Sequence, residues 1–154
     1  MKKTNLDNLP WWKTNYKNNK RMNCDFFEYL NNKEFLERLN EFPLTKDLTI
    51  SFLDKRVSRI KLAKLTTKKV KGEIYRTSPW DYFNFEIMIN SNIPLKEKAS
   101  TLIHECMHGI YKVVGYGDDS PIEKTLCEYE LNFYNKNKEF SKNLFKNYTK
   151  LKGN

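Results

Sequence analysis

The spacing of apolar positions changes several times along the chain, and each change predicts an element. Phe26, Phe27, Leu30, Phe35, Leu36, Leu39 and Phe42 recur at helical intervals as far as Pro43. Asp25 and Glu28 give this run a D-x-x-E start, and Asn31–Asn32 is a break that can divide it into two short helices. From Leu48 the period becomes two. LTISFL (48–53), VSRIKLAKL (57–65), KKVKGEIYRT (68–77) and FNFEIMIN (83–90) read as strands separated by short polar turns. In the last of these Phe83, Phe85, Ile87 and Ile89 face one way and Asn84, Glu86, Met88 and Asn90 the other. Such alternation predicts a small, mostly antiparallel sheet with one covered face.

Helical spacing returns after Pro94, which suits a first helical position, and continues from Leu95 to Val114. Gly115 and Gly117 are the expected stop. Leu102, Ile103, Cys106, Met107, Ile110, Val113 and Val114 make this helix apolar almost all round, so it is expected to be the buried centre of the fold. Ser120-Pro121-Ile122-Glu123 starts another helix running to about Tyr134, and a last amphipathic helix carries Phe140, Leu144, Phe145, Tyr148 and Leu151. The fold class is therefore α+β. Its 154 residues suit one domain, 25–154, preceded by a basic arm, 1–24, whose Trp11 and Trp12 are expected to tuck onto the core.

Composition alters this picture only modestly. The net charge is +9. It is concentrated at the ends, with six basic residues against one acidic in 1–21 and again in 135–154. Solvated lysine-rich ends explain this, and a nucleic-acid contact is the sharper alternative. No apolar run reaches about 18 residues, and the basic start leads into no apolar signal core, so no membrane span is expected and a cytoplasmic location follows. Cys24, Cys106 and Cys127 are odd in number and form no C-x-x-C pair, which suits a reducing compartment.

Both histidines of the chain fall in one short stretch, TLIHECMHGIY (101–111). Residues four apart share a helix face, so His104 and His108 can aim ring nitrogens at one cation. Glu105, about 100° round the helix, flanks that point without being forced to ligate, which is where a general base is needed. Zn2+ needs at least a third protein ligand, and no histidine remains. The next helix offers Glu123, Cys127, Glu128 and Glu130. Glu123 completes an S-x-x-E capping box and is expected to fold back on its own helix start. Glu128, beside Cys127 and Leu131, is expected to face inward as the ligand. Asn132, one turn on, would hold a histidine's second nitrogen. Cys127 is a lesser alternative, Glu130 reads as solvated, and Cys106 as core.

His104-Glu105-x-x-His108 with Glu128-x-x-x-Asn132 resembles the zincin metallopeptidases of the glutamate-ligand type. The run KEKASTLIHECMHGIY is similar to ImmA/IrrE-type peptidases and small phage-encoded zincins. The resemblance spans residues 83–134. It implies a zincin-like fold with the sheet packed on a buried active-site helix, Zn2+ held by His104, His108 and Glu128, and Glu105 activating water. The expected activity is peptide-bond hydrolysis, on a protein or peptide substrate. A catalytically silent protein-binding zincin fold and a DNA-associated protein using its basic ends are the alternatives. Tyr111, Tyr116, Tyr129 and Tyr134 are nearby oxyanion donors in sequence, and Phe83–Asn90 is a possible edge for an extended substrate.

Overall fold

In the computed structural model, which describes residues 5–12, 30–64, 71–78, 84–113 and 120–153, the first long helix begins at a capped asparagine. Asn31 Oδ1 accepts the Glu34 amide at 2.8 Å and Glu34 Oε1 accepts the Asn31 amide at 3.1 Å. This full capping box starts α1 (Asn32–Glu41), which buries Phe35 and Leu39. The expected start at Asp25 and Glu28 lies outside the described residues.

The stretch expected as a first strand is a helix, α2 (Lys46–Arg56). Thr45 caps it by accepting the Leu48 amide at 3.0 Å, Asp47 sits in its first turn, and Lys55 and Arg56 close its last. Leu48, Thr49, Phe52 and Leu53 are its buried face. Their spacing of one, three and one is helical, and the apparent alternation of LTISFL belongs to only part of that face.

Among the described residues three strands follow: β1 (Val57–Ala63), β2 (Gly72–Arg76) and β3 (Phe85–Asn90). They are ordered β1-β3-β2. β1 runs parallel to β3 and β2 antiparallel to it, so the sheet is mixed rather than mostly antiparallel. β3 is central, which removes it as a substrate edge. Phe85, Ile87 and Ile89 are fully buried on the face covered by helices. β2 has a neighbour on one side only among the described residues. The bonds Asn90 N–H to Lys71 O (2.8 Å) and Thr77 N–H to Asn84 O (3.1 Å) fix the phase of its ladder. The backbone groups of Gly72 and Ile74 therefore point away from β3, toward the side on which no described strand pairs with β2.

α3 (Leu95–Tyr111) follows Pro94, which takes the capping position rather than the first helical one. It packs on α1, α2, α4, α5, β2 and β3, and every residue from Thr101 to Tyr111 is buried. Gly109 is where α2 comes closest: an added Cβ would strike the Phe52 ring. The helix ends at Lys112, left-handed at φ 52° and ψ 46°, before Gly115 and Gly117, which lie outside the described residues. α4 (Pro121–Lys136) and α5 (Lys138–Lys152) complete the fold, with α5 against β1 and α3. No described helix is long and apolar enough to cross a membrane.

Residues 5–12 form two 3-10 turns against the end of α3. Trp11 and Trp12 both donate their indole N–H to Ile110 O, at 2.6 and 2.7 Å. Arg38 donates to Tyr111 O at 2.8 Å. These donors meet carbonyls that the end of a helix leaves unpaired.

Candidate metal centre

His104 and His108 stand one turn apart on α3, with ring centroids 4.9 Å apart and planes at 70°. His108 Nδ1 lies 3.0 Å from Val113 O. A carbonyl only accepts, so that nitrogen carries the hydrogen. The left-handed turn at Lys112 is what brings Val113 back over the last turn, where its amide also bonds His108 O at 3.2 Å. His104 Nδ1 lies 2.7 Å from Glu130 Oε1, and Ser100 Oγ donates to the other oxygen of the same carboxylate. Both rings are therefore oriented through Nδ1, which directs both Nε2 atoms to one place.

What they meet is Glu123. Its Oε1 lies 2.5 Å from His104 Nε2 and its Oε2 3.2 Å from His108 Nε2. An Nε2 lone pair facing a carboxylate oxygen in a mostly buried pocket is repulsive unless a cation, a proton or a metal ion, lies between. His104, His108 and Glu123 are close enough together to hold a metal ion. Two imidazoles and a carboxylate suit zinc.

Glu128, expected to complete this group, is not part of it, and Glu123 stands in its place. Glu128 is exposed, and so is Asn132. Buried Ile122, Leu126 and Phe133 define the inner face of α4. Glu128 and Asn132 fall on its opposite side, while exposed Cys127 and Leu131 are poor guides to what faces inward. Glu123, expected to be spent on its own helix, forms only half a capping box. Ser120 Oγ accepts the Glu123 amide at 3.1 Å, but the carboxylate turns to the histidines. Glu130, read as solvated, is the residue that orients His104. The signal for it was present: it lies seven residues from Glu123, hence on the same face.

The electrostatics follow. For His104 burial alone would favour the neutral ring, but hydrogen bonds with Cys127, Glu123 and Glu130 and the charge of Glu105 outweigh it and push the imidazolium far above its ordinary range. For Glu123 burial opposes ionisation, yet hydrogen bonds from His104 and His108 hold the carboxyl well below the usual carboxylate range. Glu105 is raised, by burial first, against the lowering influence of His108 and His104. It is 6% exposed and shielded by β2. At Gly72 an added Cβ would lie 2.6 Å from Thr101 Cγ2, 2.9 Å from Met88 O and 3.5 Å from Glu105 Cγ, so β2 crosses α3 in direct contact beside Glu105.

The tyrosines are otherwise engaged. Tyr111 donates to Phe42 O at 2.6 Å, Tyr129 to Asn40 Oδ1 at 3.3 Å, and Tyr134 is core. Tyr116 lies outside the described residues. Cys106 is buried and its thiol is pushed well up by burial, in keeping with a packing role. No family model matches this chain, and no curated protein or solved structure matches it either.

Proposed function

We propose that this chain is a zinc-dependent metallo-endopeptidase with a zincin-like site, in which His104, His108 and Glu123 hold the ion. The observation that carries the reading is the convergence of both Nε2 atoms on the Glu123 carboxylate, each ring fixed from behind. Zinc bound there supplies Lewis acidity to a carbonyl and a water.

The chain's own residues account for the rest. Glu105 is a buried carboxylate raised toward neutrality, able to take a proton from the water and return it to the leaving amine. Gly72 and Ile74, on the side of β2 that no described strand covers, can pair with an extended peptide and lay its backbone beside Glu105. This edge replaces Phe83–Asn90 in that role.

The test is cleavage of a broad peptide library by the zinc-loaded protein, alongside Glu105→Gln. The variant is expected to keep its zinc and to cleave about 10²–10⁴-fold more slowly. Stoichiometric zinc with no Glu105-dependent cleavage would overturn the enzyme reading in favour of a silent, protein-binding role.

A further inference from the structure

Metal-ligating groups continue beyond the three just described. Glu123, Cys127 and Glu130 stand four and seven residues apart on α4, so they line one face of that helix. Beyond Glu123, a ring nitrogen of His104, the Cys127 sulfur and a Glu130 oxygen all lie within 4.8 Å of one another. We propose that His104, Cys127 and Glu130 form a second cation site, for a thiophilic divalent ion such as Zn2+ or Cd2+, coupled to the first through the shared imidazole.

The donor set carries the selectivity. Thiolate, imidazole and carboxylate together favour a borderline or soft ion and disfavour Mg2+ and Ca2+, which want oxygen alone. Glu130 is already fixed, with one oxygen on His104 Nδ1 and the other on Ser100. Cys127 is exposed, unlike buried Cys106, so core packing does not account for its place beside His104. Ligands of a tetrahedral zinc stand roughly 3.5 Å apart, and these atoms, all within 4.8 Å of one another, need only a small rearrangement to reach that spacing. An exposed cysteine on a helix can supply that by side-chain rotation. On binding, the thiol proton and the proton on the ligating nitrogen of His104 pass to solvent.

The coupling has a structural basis. Glu123 meets His104 at Nε2 and Glu130 meets it at Nδ1. An ion drawn to Cys127 and Glu130 either takes the ring from the first set or displaces the hydrogen through which Glu130 orients it. Filling the second set therefore alters the first. This goes beyond the peptidase reading and stands whether or not peptide is cleaved.

Co2+ titration of the full chain tests it, because thiolate ligation gives a near-ultraviolet charge-transfer band and histidine–carboxylate ligation gives visible ligand-field bands. In wild type both are expected; in Cys127→Ser the charge-transfer band should vanish while visible bands remain. Glu123→Gln should keep the charge-transfer band. Visible bands without charge transfer in wild type would overturn the second site and leave the first intact. A charge-transfer band surviving in Cys127→Ser would assign the sulfur to another cysteine and also overturn it. An independent check needs no variant: Cd2+ should slow iodoacetamide modification of Cys127, followed by peptide mass spectrometry, by about tenfold or more. An unchanged rate overturns the proposal.

Discussion

Glu123 has two uses open to it, and the geometry decides between them. As the third residue of α4 it can close a capping box, worth about 1 kcal/mol. Turned the other way it meets two imidazoles, with charge-assisted hydrogen bonds of about 1.5–3 kcal/mol each. The second is larger, and Ser120 still caps the helix without help. Glu123→Ala is therefore expected to lower zinc affinity by 100-fold or more (about 3 kcal/mol), whereas Glu128→Ala retains full zinc; equilibrium dialysis with metal analysis separates them, and the reverse ranking would sink this ligand set. Zinc binding should also depend on pH. Without zinc, the raised His104 contributes stability that is complete below its ordinary value of 6.5 and declines as pH rises toward the folded value. The lowered Glu123 contributes stability complete above its ordinary 4.5 and lost as pH falls through the folded value. Zinc must displace the His104 proton, so affinity should rise roughly tenfold per pH unit between pH 6 and 8. Titration in that range, with a flat profile, would contradict the assignment. At this scale His104, Glu105 and His108 were legible because their spacing alone puts them on one helix. Glu123 was not, because the same S-x-x-E letters serve a local cap and a carboxylate turned to the two histidines.

Elements were readable where local chemistry and burial pointed the same way. α1, α3, α4 and α5 each join an apolar stripe to a start signal or a boundary residue. α2 failed because six residues, LTISFL, fit alternation nearly as well as helix. Thr45, Asp47, Lys55 and Arg56, on either side of that stretch, would have resolved it. Two contacts between elements lead to predictions. Gly109→Ala improves helix propensity but drives a Cβ into the Phe52 ring, and overpacking should win, lowering stability by about 1–3 kcal/mol in urea unfolding. A stabilised variant would mean that α2 can move away freely. Gly72→Ala should lift β2 off Thr101, and because Glu105 lies under the same strand, cleavage should fall more than zinc affinity does. Equal losses in both would argue against β2 as the wall of the site. The sheet order was not legible, since β1 pairs with β3 rather than with β2, its neighbour in sequence, through long-range contacts that periodicity does not encode.

At the scale of the whole molecule, the basic C-terminal end is not a detachable tail. α5 buries Leu144, Phe145 and Tyr148, and Lys152 donates to Leu53 O and Val57 O at 2.6 Å each, closing the end of α2. A nucleic-acid contact at this end is therefore testable only by exchanging exposed lysines, because deleting 135–154 would remove core. Residues 5–12 are tied to α3 by the two indoles on Ile110 O. Replacing both, as Trp11→Phe with Trp12→Phe, leaves that carbonyl without them and should cost about 1–3 kcal/mol. Unfolding in urea would show it, and an unchanged midpoint would mean that solvent or another donor replaces them.

That tie also sets a timetable. Trp12 and Ile110 are 98 residues apart, and at about 5–20 residues per second roughly 5–20 s of synthesis separates them. Through that interval Leu6, Leu9 and both indoles have no α3 to dock on. The nascent chain thus presents a short aromatic segment, the kind of surface chaperones hold, until the helix bearing both histidines has been made.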